Sequence, residues 1–186
     1  NICNLACLHC TPGFSSKWVA ENKKTRLIFE ELSAETQQIL QEIDAVGYHD
    51  DDVTRRAVKM HLPDDDLIVK NLECMDLSNL KTINFKGGEP MLNSETTSIL
   101  KFLDQRSILG NISVSMSTNC TYTTDTIIEL LSKCREVKLY ISIDGIGELY
   151  NYIRYGDAKF TDVEPILKKL NTISTVSIHV SVAVMN

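Results

Sequence analysis

Residues 82–105 read TINFKGGEPMLNSETTSILKFLDQ, and this stretch sets the plan of the chain. TINF is short, apolar and β-prone. KGGEP interrupts it with two glycines and a proline. SETTSILKFLDQ then places Ile99, Phe102 and Leu103 at helical spacing behind Ser94, a residue suited to an N-cap. The reading is strand, loop, helix, and the same order returns twice. NISVSMSTNC (111–120) predicts a strand, and TTDTIIELLSKC (123–134) a helix with Ile127, Leu130, Leu131 and Cys134 on one face. EVKLYISIDG (136–145) predicts a third strand, and TDVEPILKKLNTI (161–173) its helix. There Asp162 is a cap, Pro165 is tolerated in the first turn, and Leu167, Leu170 and Ile173 share a face. VSIHVSVAVM (176–185) is a fourth strand.

Alternating units of this kind predict an α/β fold with a parallel sheet and right-handed crossovers. Reactive groups then gather at the carboxyl ends of the strands. GGEP (87–90), STNC (117–120) and SIDG (142–145) all fall there, so three polar loops share one rim.

The chain has 186 residues, enough for one core, with 43% apolar and 24% charged residues. No apolar run is long enough to span a bilayer, so no membrane role is expected. A net charge of −6 argues against broad nucleic-acid binding, which needs a basic face to displace counterions. Residue 1 is Asn and no leader precedes the first cysteines, so a piece of a longer polypeptide is expected. Residues 11–80 are less regular. SAETQQILQEIDAV (33–46) predicts a helix with Ile39, Leu40, Ile43 and Val46 as its stripe, and the two Asp triplets in residues 49–66 read as a solvated segment.

NICNLACLHC (1–10) holds three of the six cysteines, Cys3, Cys7 and Cys10, within eight residues. Zinc is one occupant such thiolates take, with His9 or a distant group as fourth ligand, although structural sites usually pair two knuckles and adjacent His9 and Cys10 reach one small ion poorly. A disulfide would strand the third thiol. An iron-sulfur cluster suits soft thiolates on a compact loop, and three ligands would leave one of four irons open. An apolar core that needs no staples, with cysteines crowded as ligands, points to a reducing compartment, the cytoplasm.

CNLACLHC (3–10) resembles the cysteine motif of radical S-adenosylmethionine (radical SAM) enzymes, and GGEP (87–90) resembles that superfamily's glycine-rich motif. The resemblance covers residues 3 to about 154 by motif and 1–186 by rhythm. It implies a radical SAM core domain with a partial (βα)6 TIM-like barrel, truncated at both ends of this chain. It also implies a 4Fe–4S cluster on Cys3, Cys7 and Cys10, whose unique iron binds the amino and carboxylate groups of SAM. Gly87 and Gly88 would let backbone approach that head group, Glu89 or a nearby carbonyl would accept its ammonium, and Pro90 would fix the chain leaving the loop. The implied reaction passes one electron to the sulfonium of SAM, and the resulting 5′-deoxyadenosyl radical abstracts hydrogen from a peptide or small-molecule substrate. A flavodoxin or ferredoxin would supply the electron.

YISIDGIGELYNYIRYG (140–156) resembles the subgroup carrying a SPASM or shorter twitch domain. In that pattern Ser142 and Asp144 lie near the SAM ribose and Arg154 near its carboxylate, a partner suited to a planar guanidinium. STNC resembles the family's Thr-Asn-Gly strand end, with Asn119 near the cofactor and Cys120 in place of the usual glycine. His9 occupies a position near the adenine, and Trp18 is expected to pack. Cys74, Cys120 and Cys134 are scattered, Cys134 being a core residue, and no second cysteine group follows. Two other readings remain at this point: a radical SAM member acting on a nucleotide-like substrate, as the deazaguanine-forming enzymes do, and a non-enzymatic zinc or iron-sulfur domain.

Overall fold

A computed structural model describes residues 3–7, 10, 15–42, 65–173 and 175–179. In it the chain runs β1 (Leu5–Cys7), α1 (Ser16–Glu31), α2 (Ala34–Glu42), α3 (Asp65–Glu73), β2 (Thr82–Phe85), α4 (Ser94–Gln105), β3 (Ser113–Thr118), α5 (Asp125–Ser132), β4 (Glu136–Ser142), α6 (Gly147–Ile153), β5 (Arg154–Gly156), α7 (Phe160–Leu170) and β6 (Thr175–His179). Strands β2, β3, β4 and β6 lie side by side in that order, all parallel. The predicted α/β rhythm is therefore the fold, with each strand next to its successor in the repeat. Among the described residues the sheet stays open, and no barrel closes.

The repeat holds because each element has one apolar side to bury. In β3, Val114 and Met116 are inaccessible, as are Leu139 and Ile141 in β4. Facing them are Leu100 and Leu103 of α4 and Ile127 and Leu131 of α5, in one continuous core. Each such side chain contributes about 1.5–3 kcal/mol by leaving water, which sets the sheet's register against its helices.

Several local expectations shift. Asn93 precedes α4 in extended conformation, so Ser94 is the first helical residue rather than the cap. Helix α7 begins at Phe160, which moves Pro165 into the second turn; the carbonyl it leaves without a donor belongs to exposed Thr161. Asp162 does cap, accepting from Lys159 N–H at 2.7 Å. Cys134 lies just past the end of α5, half-buried, with its thiol 3.6 Å from the Leu130 carbonyl. Helix α1 escapes periodicity because its apolar residues do not line one face, and Leu27 and Ile28 stand exposed side by side. In α2, Ile39 is exposed; Ile43, Val46, the first Asp triplet and Asp64 lie outside the described residues, whereas Asp65 and Asp66 of the second triplet open α3.

The larger difference concerns the first strand. Ile2 lies outside the described residues, and among those described the truncated barrel that the resemblance implies gains no strand at this end. Leu5–Cys7 pairs instead with Arg154–Gly156, antiparallel, as a separate two-stranded ribbon with Leu5 opposite Gly156 and Cys7 opposite Arg154. Gly156 makes this approach possible: a Cβ there would meet the Asn4 carbonyl and come within 2.8 Å of Leu5 Cα. The ribbon fastens the cysteine loop to the segment following β4.

Candidate functional site

The start of α1 holds the cysteine loop in place. Ser15 would ordinarily cap that helix, but its hydroxyl donates to the Leu5 carbonyl instead. Ser16 Oγ accepts from Cys3 N–H at 3.0 Å and stands 3.1 Å from the Cys3 carbonyl. Trp18 Nε1 and Cys10 N both donate to the Cys7 carbonyl, each at 2.9 Å, so the expected packing tryptophan is also an anchor. Thus the backbone polar groups on both sides of the central cysteine are engaged by neighbours.

With the loop fixed, the three cysteines gather about one small apolar cluster. Cys7, Leu5 and Ala158 form a small buried cluster, and Cys3 and Cys10 pack against it. Among the described residues no three His, Cys, Asp or Glu side chains are grouped to hold a single metal ion. Burial raises the Cys3 thiol, and it pushes Cys7 up to about 12 against the lowering effect of the Arg154 cation. Neutral thiols are what an apolar pocket favours until a cation binds there.

The GGEP loop sits at the end of β2. Gly87 and Gly88 both take positive φ, 89° and 54°, the left-handed region that suits residues without a Cβ. Pro90 is buried and starts a single 3-10 turn, Pro90–Leu92. Glu89 is fully buried and points into the protein. Its Oε1 accepts from Thr118 Oγ1 at 2.6 Å and from Met91 N–H at 3.2 Å, and its Oε2 accepts from Asn119 N–H at 2.7 Å. Burial raises the Glu89 carboxyl, opposed by these three donors. The side chain therefore pins the end of β3 to the loop after β2, and three of its four lone-pair sites are already used.

At the end of β3, Asn119 turns towards the cysteines. Its Nδ2 lies 3.8 Å from Cys3 Sγ. Cys120, which follows, takes φ 58°, so the backbone keeps the left-handed shape that a glycine would adopt, and the thiol is fully buried. Burial pushes that thiol up to about 12.

The end of β4 supplies Ser142, half-buried and paired with His179 across the sheet, and then Asp144. Asp144 Oδ2 meets Arg154 Nη2 at 2.6 Å, with the two side chains 1% and 5% exposed. Arg154 Nη1 lies 3.7 Å from Cys7 Sγ, and the guanidinium stands 6.0 Å from the Tyr150 ring centroid. Arg154 Nε and the Tyr150 hydroxyl are buried and find no hydrogen-bond partner among the described residues.

Of the expected residues, Asn119 reaches Cys3, Arg154 reaches Cys7 and Asp144, and Glu89 joins through Asn119. Gly87, Gly88, Pro90 and Ser142 lie at the ends of β2 and β4, outside these contacts. His9 lies outside the described residues. Sequence reasoning missed Asn4, Thr121, Ser15 and Gly156, whose roles are contacts between distant segments; the only local hint was a polar Asn inside an otherwise apolar cysteine loop. Among the described residues no helix is long and apolar enough to cross a membrane.

Comparison with known proteins adds the following. The family model of the Radical SAM superfamily matches residues 1–185. A search of curated proteins finds no match. Among solved structures, the chain is similar to "Native anSMEcpe with bound AdoMet" at 23% identity and TM-score 0.44, covering 61% of this chain and 32% of that one. The form described as "Native anSMEcpe with bound AdoMet and Cp18Cys peptide" gives the same identity and TM-score, with 33% of that chain covered. SuiB of Streptococcus suis bound to S-adenosylmethionine is similar at 14% identity and TM-score 0.42, covering 62% of this chain and 25% of that one. The chain spans about a third of the anSMEcpe chain, or less, in these matches.

Proposed function

This chain belongs to the radical SAM superfamily, and on that premise we propose that Cys3, Cys7 and Cys10 hold a 4Fe–4S cluster beside which the strand ends bind SAM. The residues present fit both groups. Three soft thiols border one small apolar cluster, and two buried donors beside Cys7, Arg154 Nε and the Tyr150 hydroxyl, have no partner among the described residues. When bound, the cluster supplies the electron that cleaves SAM reductively to a 5′-deoxyadenosyl radical.

The protein's own residues do the positioning. Gly87 and Gly88 bring backbone to the rim, where the amino acid head of SAM would be met. Glu89 is engaged with Thr118, Met91 and Asn119, so its part is to hold the rim in shape, and a loop carbonyl is the better acceptor for the ammonium. Arg154, oriented by Asp144, presents a fixed cation for a carboxylate. Ser142 and Asn119 lie at neighbouring strand ends within reach of a ribose, and His9 is assigned to the adenine. The apolar shell of Leu5 and Ala158 keeps water from the thiolates.

The observation that carries this reading is the donation from two separate segments, Asn119 and Arg154, to two of the three cysteine sulfurs. It joins the cysteine motif to the strand-end motifs in one site. The Asp144–Arg154 pair supports placing the chain nearest the SPASM/twitch subgroup. The substrate is then a peptide or small molecule, the reductant a flavodoxin or ferredoxin, and the compartment the cytoplasm.

The test is anaerobic reconstitution with iron and sulfide, reduction with dithionite and addition of SAM. 5′-Deoxyadenosine should appear with the wild type and not with Cys7→Ala. A wild type that binds no iron-sulfur cluster, or cleavage retained by Cys7→Ala, would overturn the assignment.

A further inference from the structure

The Asn119 amide is locked in one orientation by two residues that no motif singles out. Its Oδ1 accepts twice from Thr121, from the backbone N–H at 3.0 Å and from Oγ1 at 2.6 Å. Its Nδ2 must then face the other way, where it meets Asn4 Oδ1 at 3.1 Å and Cys3 Sγ at 3.8 Å. An amide nitrogen has two hydrogens, and here each has a destination. Asn4 Nδ2 in turn lies 2.9 Å from Thr121 Oγ1, which closes a ring of three side chains. Asn119 is nearly inaccessible, so the ring is shielded from competing water.

Asn4 stands next to Cys3 in sequence and belongs to the cysteine loop, whereas Thr121 and Asn119 belong to the end of β3. The ring therefore ties the loop to the sheet at the point where an N–H is aimed at a cysteine sulfur. Donation of that kind withdraws electron density from a metal-bound thiolate and stabilises the reduced, more negative state of the metal centre.

Resting on the cluster reading above, we infer that Asn4 is a positioning residue: it holds the Asn119 amide towards Cys3 and thereby raises the reduction potential of the bound cluster. Thr121 secures the other end of the same amide. Asn4 needs no contact with SAM or substrate for this role.

The experiment compares reconstituted full-length wild type, Asn4→Ala, Asn119→Ala and the double variant. Iron and sulfide content is measured first, and then the midpoint potential by redox titration followed by EPR. Equal cluster content is expected, with the midpoint of both single variants shifted to more negative values. The double variant should match Asn119→Ala alone, because Asn4 acts through Asn119. An Asn4→Ala protein with its cluster intact and an unchanged midpoint would overturn the inference, as would shifts that add. If Asn4→Ala holds no cluster, Thr121→Val carries the same test, and an unchanged midpoint there counts against the inference equally. A wild type without cluster is read out separately, as missing iron and sulfide, and removes the underlying assignment together with this one.

Discussion

Cys7 and Arg154 are 147 residues apart in sequence and directly opposite each other across an antiparallel pair, with the guanidinium 3.7 Å from the thiol sulfur. The same guanidinium is ion-paired to Asp144 in a setting almost closed to solvent. Arg154→Ala would take the guanidinium away from the buried Asp144 carboxylate, which costs about 3–5 kcal/mol. Pairing Arg154→Met with Asp144→Asn should recover most of that loss in urea unfolding. SAM affinity, measured by calorimetry on reconstituted protein, should fall in both variants. Restored affinity in the double variant would remove Arg154 from the cofactor site.

Gly156 is the close-approach point of the cysteine ribbon. In Gly156→Ala the new methyl would meet the Asn4 carbonyl and Leu5 Cα, both backbone groups. Overpacking of this kind costs about 1–3 kcal/mol. The expected outcome is near-native circular dichroism, because the parallel sheet does not use this residue, together with reduced iron incorporation. Full iron stoichiometry would show that the ribbon tolerates separation.

Glu89 joins two strand ends by accepting three hydrogen bonds while buried. Its carboxyl is raised by that burial, so the native state keeps this proton to higher pH than the unfolded chain does. The contribution of this group to stability is therefore largest below the unfolded value, about 4.3, and declines as pH rises through the raised native value. Glu89→Gln should abolish that decline in pH-dependent denaturation. It should also cost about 1–3 kcal/mol near neutrality, since a Gln amide group set against Asn119 N–H or Met91 N–H leaves two donors facing each other.

Ser107 and Cys120 share a φ of 58°, and glycine should act differently at the two positions. Ser107 is exposed at the end of α4, so Ser107→Gly should raise stability by about 1 kcal/mol by relieving the left-handed penalty. Cys120 fills space in the core, and Cys120→Gly loses burial of about the same size, roughly 1 kcal/mol, leaving little net change. Thermal unfolding of the two variants side by side checks the contrast.

Much of the fold was legible because it is written locally. The strand of residues 82–85, the glycine loop and the helix after it are contiguous, and the period changes within that one stretch. The rim followed from topology, since parallel strands put their carboxyl ends together. That the three cysteines lie together was legible from spacing, and Cys3 and Cys10 do pack about Cys7. The ribbon was not: Leu5–Cys7 and Arg154–Gly156 are three residues each, too short to alternate, and their pairing depends on a missing Cβ at Gly156. Nor was the direction of Glu89, because the residue type fits a ligand contact and an internal staple equally well. Asn4 and Thr121 meet across 117 residues, a relation that no local pattern carries. Cys120 is the opposite case, where a departure from the glycine pattern was visible in sequence and the backbone kept the glycine conformation nonetheless.

The pairing of Leu5 with Gly156 also makes the chain a closed loop through most of its length. Closing a loop that long is entropically costly and slow to occur before the sheet has brought its ends together. During synthesis the cysteine loop emerges before the ribbon strand that carries Arg154, since Cys7 and Arg154 are 147 residues apart. Thiols made earlier must wait for a partner made later. The contacts that surround Cys7 are therefore complete only once the sheet between the two segments has formed.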